Sequence, residues 1–295
     1  MKVLNILVFF VSLNPVVYNQ TGSNWFEKES MFSTVLLERE LNGTFIHHGT
    51  GFVINPYFSK VPIIITCEHV LKNSSIFITL EVDSIFRNYV RSLSQFNQRE
   101  VLKKLNNNNT IWNITDNYLR VKIDLIKDST LYRHPDGLDI AAFKTYIPGK
   151  FSIKDSIYKI TNVVQIGISR IAGRNNIKLG DDSYFIGFPF GIGSPKSVFS
   201  NNRYFTSTPK HLLRKGTIAW LSDDYDEFLL DAMSYGGNSG SPLFQINSNN
   251  KDKPPYYLIG IVIGHLEDTL SRQNHGLAKC LSSDEIMKVI KLADH

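Results

Sequence analysis

Short runs of β-branched and aromatic residues recur along this chain, each closed by glycine, proline, asparagine or a polar break, and few stretches repeat at helical spacing. Gly49-Thr50-Gly51-Phe52-Val53-Ile54 reads as a strand that pairs with the run Ile63-Ile64-Ile65-Thr66. That second run leads into Cys67-Glu68-His69, so a histidine stands at a strand end. Gly137-Leu138-Asp139-Ile140-Ala141-Ala142-Phe143 sets one carboxylate directly before a short apolar strand, where it can be desolvated and anchored by a neighbouring imidazole. The pattern predicts an all-β chain.

Two segments carry a helical period instead. From Ser84 to Leu105, apolar residues recur at Ile85, Tyr89, Leu93, Phe96, Val101 and Leu105 with Arg and Lys between them, and Asn106 to Asn109 break the pattern. The tail from Ser282 to Ile290 opens on Ser282-x-x-Glu285, the signature of a capping box, and continues at helical spacing.

Candidate chemistry enters with Gly236-Gly237-Asn238-Ser239-Gly240-Ser241-Pro242-Leu243, where small residues around one serine describe a backbone bent to expose a hydroxyl. Gly237 has no Cβ, so its N–H can converge with that of Ser239, and two converging N–H groups are what an oxyanion requires. A plain turn between strands has the same composition. The upstream segments change that reading, because the order His69, Asp139, Ser239 is the one found in chymotrypsin-like double barrels. In that arrangement Ser239 Oγ attacks a carbonyl, His69 accepts and returns its proton, and Asp139 holds the imidazole tautomer. Asp136, three residues earlier, competes with Asp139 for that role. An α/β-hydrolase elbow fits less well. Ser241 stands where its last glycine belongs, and the His and Asp segments precede the serine.

Together these segments resemble the trypsin-like peptidase domains of the HtrA (DegP-type) group, over most of the chain. Gly49 to Ile54 is similar to that group's Gly-Ser-Gly-Phe-Val/Ile-Ile strand, and Ile65-Thr66-Cys67-Glu68-His69-Val70 to its Val-Thr-Asn-Asn-His-Val. Leu179-Gly180-Asp181 followed by Phe185-Ile186-Gly187-Phe188-Pro189-Phe190-Gly191 resembles its Val-Gly-Asp…Ala-Ile-Gly-Asn-Pro-Phe-Gly. Gly216-Thr217-Ile218 and Asp231-Ala232 fall where the group has its Gly-x-Val strand and its lead-in to the nucleophile.

The resemblance implies two six-stranded barrels sharing a cleft, a helix closing the chain on the second barrel, and a serine endopeptidase acting on polypeptides through an acyl-enzyme. The expected organisation is an N-terminal segment over 1–29 and a peptidase domain over 30–295. About 81–131 is inserted between the His and Asp strands, as a surface helix or as a loop gating substrate. Asn238 stands where digestive trypsins carry the aspartate that pairs with a freshly cut N-terminus; the HtrA group also has asparagine there, so no activation of that kind is expected. Ser241 replaces a glycine of the family motif, where a Cβ would crowd the turn, and the tail after Cys280 is too short for the group's PDZ domains. A catalytically weak domain that grips peptides without cutting is the alternative from another class.

In this fold the pocket for the substrate side chain before the scissile bond is built around the nucleophile and the last strand pair. Met233 is expected at its base, Val262, Ile263, Gly264 and His265 in one wall, and Gly276 on the facing strand. With no carboxylate at the base, an uncharged, aliphatic residue is expected there. His265 is expected at the rim, with recognition of a glutamate or glutamine side chain as its alternative role.

Composition narrows the field further. A hydrophobic share of 42% with 20% charged residues suits a single sizeable core. The net charge of +5 is scattered rather than gathered with aromatics on one face, so nucleic-acid recognition is not indicated. No metal or cofactor is assigned: His47-His48 is an adjacent pair, no His-Glu-x-x-His or paired Cys-x-x-Cys occurs, and Gly187 to Gly193 lacks the Lys-Ser/Thr of a phosphate loop. Cys67 and Cys280 belong to opposite ends of the domain and are expected as free thiols. Val3 to Leu13 after Lys2 has signal-peptide length and is short for a membrane span. Asn5 interrupts it and no Ala-x-Ala-like site follows, so export and cytoplasmic residence both stay open.

Overall fold

The computed structural model describes residues 24–42, 44–72, 75–81, 83–94, 112–115, 118–125, 131–145, 147, 150–153, 156–159, 161, 163–189, 211–247, 255–267 and 274–294. The N-terminal apolar segment and the whole of the region from 95 to 111, with Phe96, Val101 and Leu105 of the expected helical pattern, therefore lie outside the described residues. No helix among the described residues is long and apolar enough to cross a membrane.

Helix α1 (Asn24–Ser33) leads into β1 (Thr34–Leu41) and β2 (Thr44–Asn55), a hairpin whose pairing runs from Leu41↔Thr44 to Thr34↔Phe52. Next come β3 (Ile63–Thr66), β4 (Ser75–Glu81), helix α2 (Ser84–Ser92), β5 (Trp112–Thr115), β6 (Tyr118–Asp124), β7 (Leu131–Arg133) and β8 (Ala141–Lys144). These strands make one sheet in the order β5-β6-β4-β1-β2-β3-β8-β7. All four residues of β3 are buried, because it lies between β2 and β8 with both faces covered. Three isoleucines and a threonine suit that position, since β-branched side chains pack well on a pleated surface. A separate hairpin, β9 (Lys150–Ile153) and β10 (Ser156–Lys159), and the short β11 (Ile166–Gly167), parallel to the end of β2, complete this half.

The second half is a closed barrel, β12 (Asp182–Gly187), β13 (Leu212–Leu221), β14 (Glu227–Asp231), β15 (Ser241–Ile246), β16 (Tyr256–Glu267) and β17 (Asn274–Ser282), in the order β12-β13-β14-β17-β16-β15. Ile218, Phe228, Leu230, Leu243, Ile259 and Val262 fill it. The first half departs from the six-stranded expectation. Its sheet has nine strands, and hydrogen-bonded closure is not found among the described residues. The region 81–131 explains the difference. Its helix ends at Ser92, and β6 pairs with β4 from Glu81↔Tyr118 to Ser75↔Asp124, so part of the expected insertion is sheet rather than surface decoration.

Helix α3 (Ser283–Asp294) packs across both halves rather than on the second barrel alone. Its Ile286, Val289, Ile290 and Ala293 join the core of β3 and β8 while its start follows directly from β17, and burying each of the larger three contributes roughly 1.5–3 kcal/mol. At its far end the Asp294 carboxylate accepts the N–H groups of Tyr57, Phe58 and Ser59. The capping box read from Ser282-x-x-Glu285 does not form. Among the described residues Ser282 Oγ is buried without a partner, and the Glu285 carboxylate turns away from the helix start towards His134 and Lys288.

Candidate active site

Two consecutive tight turns shape the nucleophile segment. Asn238 N–H closes the first onto Tyr235 O (3.0 Å) and Ser241 N–H closes the second onto Asn238 O (2.9 Å). Each turn has glycine at its third position with a positive φ, +93° at Gly237 and +89° at Gly240, as a type II turn demands. A Cβ at Gly240 would also lie 1.9 Å from Thr50 O. Ser239 stands at the corner of the second turn, half-buried. Among the described residues, neither the Gly237 nor the Ser239 N–H has a protein acceptor. Ser241, expected to crowd this turn, points away from it. Its side chain is fully buried beneath β12, where Gly187 leaves it room.

His69 lies in a single turn of 3-10 helix (Glu68–Leu71) at the end of β3. Asp139 lies at the end of the loop between β7 and β8, which is closed by His134 N–H to Ile140 O (3.1 Å), Gly137 N–H to His134 O (3.2 Å) and Ile140 N–H to Leu138 O (2.7 Å). The carboxylate holds the histidine at two points. Oδ2 is 2.5 Å from Nδ1, and Oδ1 accepts the backbone N–H of His69 at 2.9 Å. The pair is less desolvated than expected, with side chains 39% and 32% exposed. Asp136 is directed elsewhere, to Lys288 Nζ at 3.0 Å. Ser239 Oγ donates to Ile263 O at 3.5 Å and makes no hydrogen bond to His69.

One residue tying these parts together had no assigned role in the sequence. Thr50 N–H donates to Ser239 O (2.8 Å), its hydroxyl donates to Gly237 O (2.7 Å) and accepts Phe188 N–H (3.0 Å), and its carbonyl accepts Thr66 Oγ1 (2.6 Å). The signal was present as two threonines, Thr50 and Thr66, each beside an apolar run of its strand. Thr50→Val keeps the side-chain volume and orphans a buried carbonyl and a buried N–H. Each orphan costs about 1–3 kcal/mol. The denaturant midpoint is therefore expected to fall, and an unchanged midpoint would show that the hydroxyl is dispensable.

The pocket residues divide. Met233 is exposed, and Asn274 Nδ2 donates to Ser234 O while Gly276 N–H donates to Asn274 Oδ1, which joins the loop before the nucleophile to the start of β17. Among the described residues, nothing lies within 4 Å of where a Cβ would stand at Gly264 or Gly276. Ile263 is half-buried and contributes its carbonyl to Ser239. Val262, expected in the wall, has its side chain in the barrel core, and the register of β16 against β17 shifts between it and Gly264. It contributes its carbonyl instead, accepting Gly240 N–H (2.8 Å) and the Cys67 thiol (3.5 Å). His265 faces Glu267, Nε2 to Oε1 2.7 Å.

Cys67 and Cys280 are free and buried, but they are not at opposite ends of the molecule. Cys280 lies within β17 opposite Val262, whose carbonyl Cys67 contacts. Burial pushes both thiols up, and Asp139 adds to the shift at Cys67. A neutral thiol is a poor metal ligand, and the His69 and Asp139 atoms near it already bond each other, so Cys67, His69 and Asp139 do not read as a metal site. In the group His134, Asp136 and Glu285, the Lys288 ammonium already holds a cation's position, 2.8 Å from Glu285 and 3.0 Å from Asp136.

The adjacent histidines of β2 also gain a place. Burial, then Arg39 and His69, hold His48 below the usual imidazole range, so a second, neutral ring stands near His69. Burial likewise lowers His47, against the pull of Glu38. Unfolded imidazoles protonate near about pH 6.5. Because both folded rings resist protonation, stability is expected to fall as pH drops from that value towards the lowered ones. Thermal midpoints measured across this range in wild type and His48→Gln check the sign, and the variant should lose less.

The trypsin-like peptidase domain model matches residues 49–250, which hold the histidine, aspartate and serine segments. Among solved structures, a variant of the HtrA-type protease AlgW with a tripeptide is similar at 14% identity and a TM-score of 0.48, covering 90% of this chain and 62% of that one. AlgW with a decapeptide is similar at 13% identity and 0.47, covering 90% and 65%. The chain thus spans under two thirds of the length of those proteins. No curated protein matches it. On the family match, which covers more than half of its length, the chain belongs to the trypsin-like peptidase domain family.

Proposed function

We propose that the chain is a serine endopeptidase in which Ser239 is the nucleophile, His69 the general base and acid, Asp139 the anchor of the imidazole, and the N–H groups of Gly237 and Ser239 the oxyanion donors. The observation that carries this reading is the two-point hold of Asp139 on His69, at 2.5 Å to the ring and 2.9 Å to the backbone. A ring whose Nδ1–H is engaged in this way leaves Nε2 free to accept a proton. Ser239 Oγ then bonds to the carbonyl carbon of a peptide bond as its proton passes to Nε2, and the carbonyl oxygen carries the developing charge against the two N–H groups. The C–N bond breaks as His69 protonates the leaving amine, and a water molecule repeats the sequence on the resulting ester. An uncharged, aliphatic side chain before the scissile bond suits the exposed Met233 and the space that the described residues leave beside Gly264 and Gly276.

One observation favours a second reading, a latent domain that binds peptides without cutting them: Ser239 Oγ donates to Ile263 O rather than to His69. At 3.5 Å that bond is at the outer limit of hydrogen bonding, and catalytic hydrogen bonds in ligand-free sites are often loose. Rotation about one side-chain bond releases the hydroxyl. Labelling with a fluorophosphonate, mapped by peptide mass, separates the two. Modification at Ser239 is expected. Folded protein that takes no label, or takes it elsewhere, sinks the proteolytic reading and leaves the binding domain.

A further inference from the structure

Glu285 is a buried acid on the fold's closing helix. Its side chain is 1% exposed, it does not cap α3, and it faces His134, whose side chain is 0% exposed. Oε2 lies 2.9 Å from His134 Nε2, though the ring N–H is not aimed squarely at it, and 2.8 Å from Lys288 Nζ. Lys288 reaches on to Asp136, whose backbone N–H donates to His134 Nδ1 at 3.2 Å. With Nδ1 accepting, the ring proton is on Nε2, facing the carboxylate. Desolvating a carboxylate and an imidazole is costly, and apolar side chains of similar volume would close this interface at no such cost. What the polar pair adds is direction.

That direction falls on one loop. His134 is where the β7–β8 loop is closed, through its N–H to Ile140 O and its carbonyl to Gly137 N–H, and Asp139 is the residue next to Ile140. Asp139 in turn has to meet two separate groups of His69, the ring and the backbone N–H. The same helix holds the turn that precedes β3, through Asp294 and the amides of Tyr57, Phe58 and Ser59, and β3 leads to His69. We infer that His134 and Glu285, with Lys288, are positioning residues that hold the Asp139 loop against α3 so that Asp139 spans both groups of His69. The kinetic consequence rests on the proteolytic reading; the placement itself does not.

The test uses the whole chain and two kinds of variant. Glu285→Gln keeps an oxygen facing His134, whereas the double variant His134→Phe, Glu285→Leu replaces the pair by apolar groups and is expected to fold. The first readout is the downfield proton NMR signal of His69 Nδ1–H, assigned by its loss in His69→Gln. It should broaden or move upfield in the double variant and stay near its wild-type position in Glu285→Gln. The second readout is peptide hydrolysis, where kcat should fall about 10²-fold in the double variant with KM little changed, because a small misplacement of a catalytic group costs about that much. Glu285→Gln should recover most of the rate. A folded double variant with an unchanged Nδ1–H signal would overturn the inference even if wild type is an active protease. A moved signal in a protein whose wild type neither cleaves peptides nor takes a fluorophosphonate would uphold the positioning role and remove the proteolytic one.

Discussion

Ser239→Ala is expected to lower kcat for peptide hydrolysis by about 10⁶-fold, the loss seen when a nucleophile that works as one unit with its base is removed. Nothing else in the molecule should change much. Among the described residues the hydroxyl makes a single 3.5 Å hydrogen bond, to Ile263 O, whereas the shape of the segment comes from backbone bonds that alanine keeps: Thr50 N–H to Ser239 O, Asn238 N–H to Tyr235 O and Ser241 N–H to Asn238 O. The variant should therefore unfold at the wild-type midpoint and still bind peptides. Hydrolysis rates measured beside peptide binding test both halves of this expectation. A variant that retains hydrolysis would place the nucleophile elsewhere, and one that loses both folding and binding would mean that the serine is a structural residue.

The elements that carry this chemistry were legible where local sequence dictates local shape. Glycine at Gly237 and Gly240 marks two turns that need positive φ, and the run Ile63 to Thr66 marks a strand buried on both faces. What escaped depends on partners far away in the chain. Thr50 matters because β2 passes beneath Gly237 and Ser239, nearly two hundred residues on, and a threonine in an apolar strand does not announce that neighbour. Ser282-x-x-Glu285 satisfies the local rule for a capping box, yet the carboxylate pairs with His134 and Lys288, the first of them reachable only because α3 crosses both halves. Val262 reads as part of the pocket wall, yet its side chain lies in the barrel core, a placement set by how β16 pairs with both of its neighbours. In the region 81–131, read as an insertion, the pairing of β6 with β4 could not be seen because it depends on topology, not on period.

Asp139→Asn is expected to lower kcat about 10⁴-fold near pH 7 and to leave KM nearly unchanged. Oδ1 accepts the His69 backbone N–H and Oδ2 lies 2.5 Å from Nδ1, so in wild type the ring proton belongs on Nδ1 and Nε2 is the free base. Asparagine has one oxygen and one NH₂. Keeping its oxygen on the backbone N–H turns the NH₂ towards Nδ1, which must then accept. The ring proton moves to Nε2, and the nitrogen that has to take the proton of Ser239 is no longer a base. Because the hydrogen bonds of Asp139 go to His69, substrate binding should be spared on the proteolytic reading and the loss should fall on the chemical step. Both carboxylate and ring are about one third exposed, so the charge of Asp139 is partly screened by water, and holding the tautomer is the larger part of its role. An Asp136→Asn variant is the control. Its carboxylate reaches Lys288 and not His69, so the loss there should be far smaller, of the size expected from loosening the Lys288 contact on the Asp139 loop, and a comparable loss would move the anchor of the imidazole three residues upstream.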